Sequence, residues 1–179
     1  RRFIEVGCGQ GEFLQVLKEF PVEVHGMEHD PELVKLAKSK GIDVVQGFTE
    51  TEDTVIPGGL YDVFLSFNFL EHQPDPVTML RAIWNNLEDD AIGLVTVPSF
   101  EYIMEHSSYY ELIRDHIAYY TFDTLTSLME RCGFAVLEAS MVNRDTLSLV
   151  VRKRPQMETE NLLDCYRSEE RRVGKECRS

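Results

Sequence analysis

The chain has 179 residues, 43% of them hydrophobic, which is enough for one α/β domain with a single core. Its formal net charge of −13 opposes binding to nucleic acid or an anionic membrane, because clustered Lys and Arg drive both. No apolar run approaches the ~20 residues that cross a bilayer, and the four cysteines lack the C-x-x-C spacing of a zinc site. We therefore expect a cytoplasmic protein with reduced thiols, no metal site, and neither nucleic acid nor membrane as partner.

The two ends of the chain are expected to differ from its body. Arg1 directly precedes an apolar strand, so we expect an upstream part of the natural protein to be missing. Residues 167–179 have no apolar periodicity and look like a translated sequencing adapter, and we predict no packed structure there. Removing their five basic and three acidic residues changes the formal charge from −13 to −15. The predicted domain is 1–154, followed by an unassigned extension over 155–166.

Between these ends, strand-like and helix-like segments alternate, which predicts a mainly parallel sheet with helices on both faces. The predicted strands are 2–6, 22–28, 42–46, 61–67, 91–97, 134–142 and 147–152. The predicted helices end near Glu19, cover 31–40, begin after Pro76, and run from an Asp123 cap to Arg131. Residues 49–59 are acidic and then rich in Pro and Gly, which indicates a loop with at most one helical turn.

The first predicted strand turns through Gly7, Gly9 and Gly11 into the first helix. Glycine lacks a Cβ, so such a turn adopts φ > 0 and lets a ligand approach the backbone N–H groups that open the helix. The spacing therefore predicts a pocket for a nucleotide-like ligand. A dinucleotide fingerprint would need a glycine at the position of Glu12, which disfavours a nicotinamide-dependent oxidoreductase. That enzyme class and a non-catalytic binding module are the alternatives.

Glu28 closes the second predicted strand, 21 residues after Gly7. An ionised carboxylate accepts hydrogen bonds through two oxygens and so matches the two donors of a ribose diol, and ribose ligands follow the glycine turn by about 20 residues. Asp30 and Pro31 then begin the next helix. We interpret Glu28 as the ribose ligand and include the adjacent His29 in the cofactor site.

Two motifs resemble those of a known family. Glu5-x-Gly7-x-Gly9-x-Gly11 resembles the first motif of class I S-adenosylmethionine-dependent methyltransferases, and Leu70-Glu71-His72-x-x-Asp75-Pro76 resembles the motif after strand four of the small-molecule members. The resemblance spans about residues 3–154. It implies a Rossmann-like, doubly wound seven-stranded sheet that is mainly parallel with an antiparallel last strand. It also implies S-adenosylmethionine as cofactor and a small-molecule acceptor as partner.

The resemblance also implies which residues bind the cofactor. The glycine loop would hold the methionine portion, with Glu5 near its ammonium group, and Asn68 and Phe69 would approach the methionine portion and the adenosine. Phe48 follows strand three, where related enzymes often have an acid for the adenine amino group, so we expect a stacked or apolar adenine site. The predicted cofactor ligands are Glu5, Gly7, Cys8, Gly9, Gly11, Glu28, His29, Phe48, Asn68 and Phe69.

The aromatic and polar insertion over 98–120 is expected to recognise the acceptor. It resembles the corresponding region of deoxysugar C-methyltransferases, whose Tyr-His-Glu-His string appears here as Ile113-Arg114-Asp115-His116. The resemblance implies that His116 is the general base and that Asp115 is the acid that orients it. His72, which by resemblance borders the methyl-transfer centre together with Glu71, is the second candidate base.

Two departures from the sugar-methylating pattern leave the acceptor open. Ile113 stands where those enzymes have a tyrosine, and their His-Gly-Gly-Ser step is replaced by Asn143-Arg144-Asp145-Thr146. The expected function is O- or C-methylation of a small molecule, for example a sugar or a related metabolite. Since the sulfonium already activates the methyl group, such an enzyme works mainly by holding the acceptor in line with it.

Overall fold

The computed structural model describes residues 1–155 of the protein, so the predicted extension beyond residue 155 and the predicted tail over 167–179 lie outside the described residues. The strands are β1 (Arg2–Val6), β2 (Glu23–Glu28), β3 (Asp43–Gln46), β4 (Tyr61–Phe67), β5 (Leu87–Pro98), β6 (Phe134–Val142) and β7 (Thr146–Lys153). The α-helices in this part of the chain are α1 (Glu12–Leu17), α2 (Pro31–Ser39), α3 (Pro76–Asn85), α4 (Phe100–Glu105) and α5 (Phe122–Arg131).

The strands form one sheet in the order β3-β2-β1-β4-β5-β7-β6. The first five strands are parallel, whereas β7 pairs antiparallel with both β5 and β6. The predicted fold class is therefore confirmed. The chain moves outward from β1 to β3 and then returns to place β4 on the other side of β1. Ligands of open α/β sheets bind beyond the carboxyl ends of the strands at such a reversal, so β1 and β4 mark the expected site.

Helices cover both faces of the sheet, and each face has its own core cluster. The larger cluster joins Phe64 of the sheet to Leu80 of α3 and Leu125 of α5. The smaller cluster contains Leu14 of α1 and Ala37 of α2. Among the helices of residues 1–155, none combines the length and the apolar character needed to span a membrane.

The bounds of α2 follow from its local sequence. Asp30 caps its start, because Asp30 Oδ1 accepts the N–H groups of Glu32 at 2.8 Å and Leu33 at 3.3 Å. Pro31 occupies the first turn, where a missing N–H costs no helical hydrogen bond. Gly41, with a φ of +72°, follows the end of the helix. The predicted start is confirmed.

The predicted cap of α5 is wrong. Thr121 takes this position instead of Asp123, since Thr121 Oγ1 accepts the Thr124 N–H at 3.2 Å and Thr124 Oγ1 accepts the Thr121 N–H at 2.9 Å. This reciprocal pair satisfies two N–H groups that the helix leaves free. Asp123 lies in the first turn, where its negative charge still favours the helix dipole.

Two smaller differences concern the lengths of elements. β5 begins at Leu87 rather than at 91, because Leu87 still pairs with Tyr61 ahead of an irregularity near Asp90, whose φ is +59°. α1 ends at Leu17, before the predicted end at Glu19. Residues 49–59 form a loop with turns, as predicted, and the optional helical turn is absent from them.

Two short 3₁₀ turns lie near the reversal point of the sheet and in the insertion. The first, Leu70–His72, follows β4, and the second, Tyr109–Glu111, lies in the insertion. The insertion leaves the sheet after β5, forms α4, and returns at Tyr120, which forms a parallel bridge with Ser99. The insertion is thereby held at the same edge of the sheet as the carboxyl ends of the parallel strands.

The side chain of Asn86 holds the long loop that leads to β4. Asn86 is 6% exposed, and its Oδ1 accepts the Ile56 N–H at 2.8 Å. Its Nδ2 donates to the carbonyl oxygens of Thr54 at 2.7 Å and Ala82 at 2.8 Å. One buried amide therefore joins the end of α3 to the loop over 47–60.

Replacing Asn86 by alanine should destabilise the fold. In Asn86→Ala the buried Ile56 N–H loses its acceptor and two carbonyl oxygens lose their donor, so we expect the free energy of unfolding to fall by about 2–4 kcal/mol. Asn85→Ala is the matched control, because Asn85 is exposed and makes one bond, to the Glu52 carbonyl oxygen; it should cost less than about 1 kcal/mol. Urea denaturation measures both, and equal losses would contradict the anchoring role.

Candidate active site

The carboxyl ends of β1, β2 and β4 carry most of the predicted cofactor ligands. β1 runs into residues 7–11, which we call the glycine loop, and β2 ends in Glu28. β4 is followed by Asn68, which has a left-handed φ of +45°, and by the half-buried Phe69. Three separate stretches of sequence therefore meet at the reversal point of the sheet.

The glycine loop has left-handed backbone conformations at Gly7, Gly9 and Gly11, with φ of +77°, +53° and +77°. Its start is held against β2, because the Gly7 N–H donates to the Met27 carbonyl oxygen at 2.9 Å. A Cβ on Gly7 would overlap the ring of Phe69, so this glycine makes room for the aromatic side chain. A Cβ on Gly9 would meet no atom of the described chain within 4 Å. The loop is therefore open at Gly9, where a ligand can approach the backbone.

Glu28 is 4% exposed, and backbone N–H groups hold its carboxylate. Oε1 accepts the N–H groups of His29 at 2.8 Å and Asp30 at 3.0 Å, and it lies 2.8 Å from His29 Nδ1. Within residues 1–155, Oε2 accepts only the Gly9 N–H, at 2.9 Å. A carboxylate oxygen has two lone pairs, so Oε2 can accept one more donor. The predicted ribose ligand is thus bonded directly to the open glycine.

Glu5 is a buried acid that forms no ion pair with any residue of 1–155. It is 3% exposed, and its Oε2 has no hydrogen-bond partner among the described residues. Burial, and to a smaller extent the negative charge of Glu12, raise the pKa of Glu5 to about 8. An ammonium group next to Glu5 would favour the ionised form and supply the missing hydrogen bond. The surroundings of Glu5 therefore fit its predicted role near the ammonium group of the cofactor.

Other predicted cofactor ligands differ in how their side chains are placed. Cys8 lies in the smaller core cluster, where a Cβ on Gly26 would come within 2.6 Å of its Sγ. Burial raises the pKa of the Cys8 thiol to about 12. Because its side chain points into the core, Cys8 offers the site only its backbone, as part of the glycine loop. Phe48 is 39% exposed beyond β3, and the side chain of His29 is also exposed.

Three side chains whose nitrogen or oxygen atoms carry lone pairs converge beyond β4. We call Glu71, His72 and His116 the lone-pair cluster; one potential ligand atom from each lies within 4.8 Å of the other two. The rings of His72 and His116 meet edge to face, with centroids 4.9 Å apart. Glu71 is 2% exposed, and burial raises its pKa to about 6. Neither oxygen of Glu71, nor Nδ1 of His116, has a hydrogen-bond partner in the part of the chain that the structure describes.

Main-chain hydrogen bonds bring the two predicted bases together. The 3₁₀ turn after β4 contains Glu71 and His72, and the Glu71 carbonyl oxygen accepts the N–H groups of Ile117 at 3.0 Å and Ala118 at 3.1 Å. These two bonds fix the insertion next to the turn. His116 therefore lies beside His72 although the two are 44 positions apart in the chain.

Asp115 is placed differently from its predicted role. Its exposed carboxylate forms no hydrogen bond with His116 among residues 1–155. Instead, the Asp115 carbonyl oxygen lies 2.7 Å from His72 Nδ1. A carbonyl oxygen only accepts, so His72 Nδ1 is the donor and a neutral His72 has its free lone pair on Nε2. Asp115 thus positions His72 through its backbone carbonyl oxygen, and its side chain points to solvent.

Tyr120 is a buried polar group that the sequence did not single out as a site residue. Its hydroxyl has no hydrogen-bond partner in the described chain. Burial, followed by the charge of Glu71, raises the pKa of Tyr120 to about 12. The sequence places Glu71 in a family motif, which is a usable signal, whereas Tyr120 is one of several tyrosines in the insertion and carries none.

A cavity of about 190 Å³ lies between the end of β4, the insertion and the β6–β7 turn. Asn68, which follows β4, is one of its lining residues. Residues of the insertion contribute aromatic and acidic side chains, among them Tyr102, Tyr110 and Glu111. The insertion that we expect to recognise the acceptor therefore lines this cavity.

Comparison with known proteins places these features in a family. A sequence model described as a methyltransferase domain matches residues 1–139. Ubiquinone biosynthesis O-methyltransferase from Xanthomonas axonopodis pv. citri (strain 306) is 31% identical over 86 residues, which cover 45% of this chain and 36% of that protein. Ajmaline N-methyltransferase from Rauvolfia serpentina is 31% identical over 90 residues, which cover 45% of this chain and 30% of that protein. The matched part is about a third of the length of these curated relatives.

The fold itself is found in solved structures. An S-adenosylmethionine-dependent methyltransferase from Mesorhizobium loti superposes with a TM-score of 0.70 at 14% identity, over 85% of this chain and 90% of that chain. Because the sequence model matches residues 1–139, the chain belongs to the methyltransferase domain family. Its fold is that of the class I S-adenosylmethionine-dependent enzymes, as the sequence motifs imply.

The raised pKa of Glu5 predicts how stability depends on pH. Between pH 4.5 and 8 the folded state holds a proton on Glu5 that the unfolded state releases, so the free energy of unfolding should fall as pH rises, by at most about 1.4 kcal/mol per pH unit. The measurement covers pH 6 to 8, which lies above the pKa of Glu71. In this range Glu5→Gln should remove most of the fall in the free energy of unfolding. It should also be more stable than the wild type at pH 8. The exposed Glu32→Gln is the control and should keep the wild-type slope. Urea midpoints measured without ligand check this, and equal slopes for wild type and Glu5→Gln would contradict it.

Proposed function

We propose that this domain transfers a methyl group from S-adenosylmethionine to a small-molecule acceptor. Family membership supports the reaction class. The observation that carries the proposal is the bond between the open Gly9 and the buried carboxylate of Glu28. A ligand that approaches the backbone at Gly9 meets a free lone pair of Glu28 at the same place.

The cofactor is held by groups that are otherwise incompletely bonded. Glu28 Oε2 accepts from the ribose hydroxyls, and Glu5 pairs with the ammonium group of the methionine portion. Phe69 lies against Gly7 and closes the loop beside that portion. Phe48 is exposed beyond β3, where its ring can stack on the adenine. Asn68 and the exposed side chain of His29 complete the cofactor site.

The chemistry needs little from the protein beyond position and proton removal. When bound, S-adenosylmethionine supplies a methyl group that its sulfonium already makes electrophilic. The residues around the cavity hold the acceptor in line with that methyl group, and orientation of this kind can supply ~7–11 kcal/mol. His116, whose Nδ1 has no hydrogen-bond partner in the described chain, accepts the proton of the acceptor, a step worth roughly 10²- to 10⁴-fold in rate.

The acceptor is proposed to react through an oxygen or nitrogen atom. The relatives named above are an O-methyltransferase and an N-methyltransferase. A hydroxyl or amine carries a proton that must leave, which gives the lone-pair cluster a function. The acidic and aromatic lining of the cavity suits a polar or cationic acceptor, because tyrosine faces and carboxylates both attract positive charge.

We propose a cytoplasmic location on the basis of the thiols. Cys8 and Cys132 are both free and buried in the described chain. Free thiols are typical of reducing compartments.

Replacing Gly9 by alanine should weaken cofactor binding while the fold survives. The new Cβ would project into the open space of the loop, so we expect S-adenosylhomocysteine to bind at least tenfold more weakly, about 1.4 kcal/mol. Gly41→Ala is the matched control, since Gly41 has a similar positive φ but its new Cβ would meet only Lys18 Nζ, at 3.5 Å, among the described residues. Calorimetric titration measures both variants. Unchanged affinity in Gly9→Ala would refute the proposed approach of the cofactor.

Replacing His116 by alanine should lower turnover and spare cofactor affinity. We expect the rate of methyl transfer to fall by about 10²- to 10⁴-fold, with S-adenosylhomocysteine bound as in the wild type. The measurement uses labelled S-adenosylmethionine and a panel of phenol, alcohol and amine acceptors. His106→Ala, at an exposed histidine outside the cluster, is the control. If the cofactor binds but the wild type methylates no acceptor, the domain is a binding module rather than an enzyme.

A further inference from the structure

We propose that the lone-pair cluster of Glu71, His72 and His116 is a binding site for a divalent metal ion of the zinc type. Metal binding stands on the cluster alone, whereas the use of the metal rests on the methyl transfer proposed above. The site lies at the edge of the sheet next to the glycine loop.

Several buried polar atoms without hydrogen-bond partners among the described residues lie together here. Glu71 is a carboxylic acid 98% shielded from solvent, and both its oxygens lack partners within residues 1–155. No Lys or Arg of the described chain pairs with it; its ion-pair contact is with His72, whose Nε2 lies 3.9 Å from Glu71 Oε1. His116 Nδ1 and the Tyr120 hydroxyl face the same region without partners. A buried carboxylate in this state is costly unless a cation completes it.

The ring of His72 is oriented so that one nitrogen is hydrogen-bonded and the other is free. Its Nδ1–H donates to the Asp115 carbonyl oxygen at 2.7 Å, which leaves the lone pair of Nε2 directed at Glu71. Metal-bound histidines use this arrangement, in which one ring nitrogen donates to a carbonyl or carboxylate and the other binds the metal. The His72 ring is therefore already set as a ligand.

The spacing of the three side chains and their ligand atoms suit a zinc-type ion. One atom from each of the three residues lies within 4.8 Å of the others, and ligands about 2.0–2.2 Å from a zinc ion stand roughly 3–3.5 Å apart. Side-chain adjustments on the order of 1 Å close that difference. Two imidazoles and one carboxylate suit zinc or a similar transition metal, whereas magnesium and calcium prefer oxygen ligands throughout. Three protein ligands leave a coordination position open.

The open position gives the metal a role in methyl transfer. When the metal is bound, His116 is one of its ligands, and the metal replaces His116 as the group that promotes loss of the proton. An acceptor hydroxyl bound at the open position loses its proton to solvent more readily, because the cation stabilises the resulting oxyanion. The oxygen then forms a bond to the methyl carbon while the carbon–sulfur bond breaks, and that electron pair stays on sulfur. The negative charge of the oxygen and the positive charge of the sulfonium cancel, and both products are neutral at the reacting atoms.

The test is metal binding by the full chain after treatment with a chelator. Titration of the stripped protein with Zn²⁺ and with Co²⁺ should give one equivalent bound, and Co²⁺ should show visible absorption of a site with nitrogen ligands. Glu71→Gln and His116→Ala should each weaken binding at least 100-fold. His106→Ala should bind as the wild type does, and thermal unfolding of each variant checks that it is folded.

The outcomes separate this inference from the proposed function. Wild-type affinity in both Glu71→Gln and His116→Ala, or no stoichiometric binding by the wild type, overturns the metal site. Stripped protein that keeps the full rate of methyl transfer also overturns the catalytic use of the metal, while methyl transfer itself stands. Protein that binds the metal through the cluster but transfers no methyl group keeps the site and rejects the proposed function.

Discussion

The position of β1 between β2 and β4 is the constraint on which the rest of the structure depends. Glu5 of β1 is in register with Gly26 on one side and with Leu65 on the other. Adjacent strands lie about 4.8 Å apart, so the residues that follow three neighbouring strands are confined to a strip of sheet edge about 10 Å wide. The glycine loop, Glu28 and the turn that contains Glu71 therefore meet without needing long side chains to reach one another.

The three buried carboxylates at this edge differ in how they are compensated. Glu28 has backbone donors on both oxygens, so its charge is stabilised by the fold itself. Glu5 and Glu71 have oxygens without partners in residues 1–155, and burial raises the pKa of each. Groups that destabilise a fold persist where function requires them. The contrast separates a carboxylate held ready as an acceptor from two whose oxygens lack hydrogen-bond donors in the described part of the chain.

The sequence predicts well whatever is encoded locally. The glycine loop, the Asp30 cap and Glu28 at the end of β2 are each read from a few adjacent residues, and the alternation of strands and helices gives the sheet. It could not predict that His116 lies beside His72, because that contact depends on hydrogen bonds between the insertion and the turn after β4. The Thr121 cap was missed for a related reason, since the local backbone conformation and not the residue type decides which residue caps the helix.

The hydrogen bonds from Ile117 and Ala118 to the Glu71 carbonyl oxygen involve only the main chain. Every residue except proline carries the same N–H donor, so these bonds survive almost any change of side chain at either position. The insertion can therefore diverge in sequence, and with it the shape and polarity of the acceptor cavity, while the imidazole of His116 keeps its place. A fold built this way lets substrate preference evolve separately from the reacting centre.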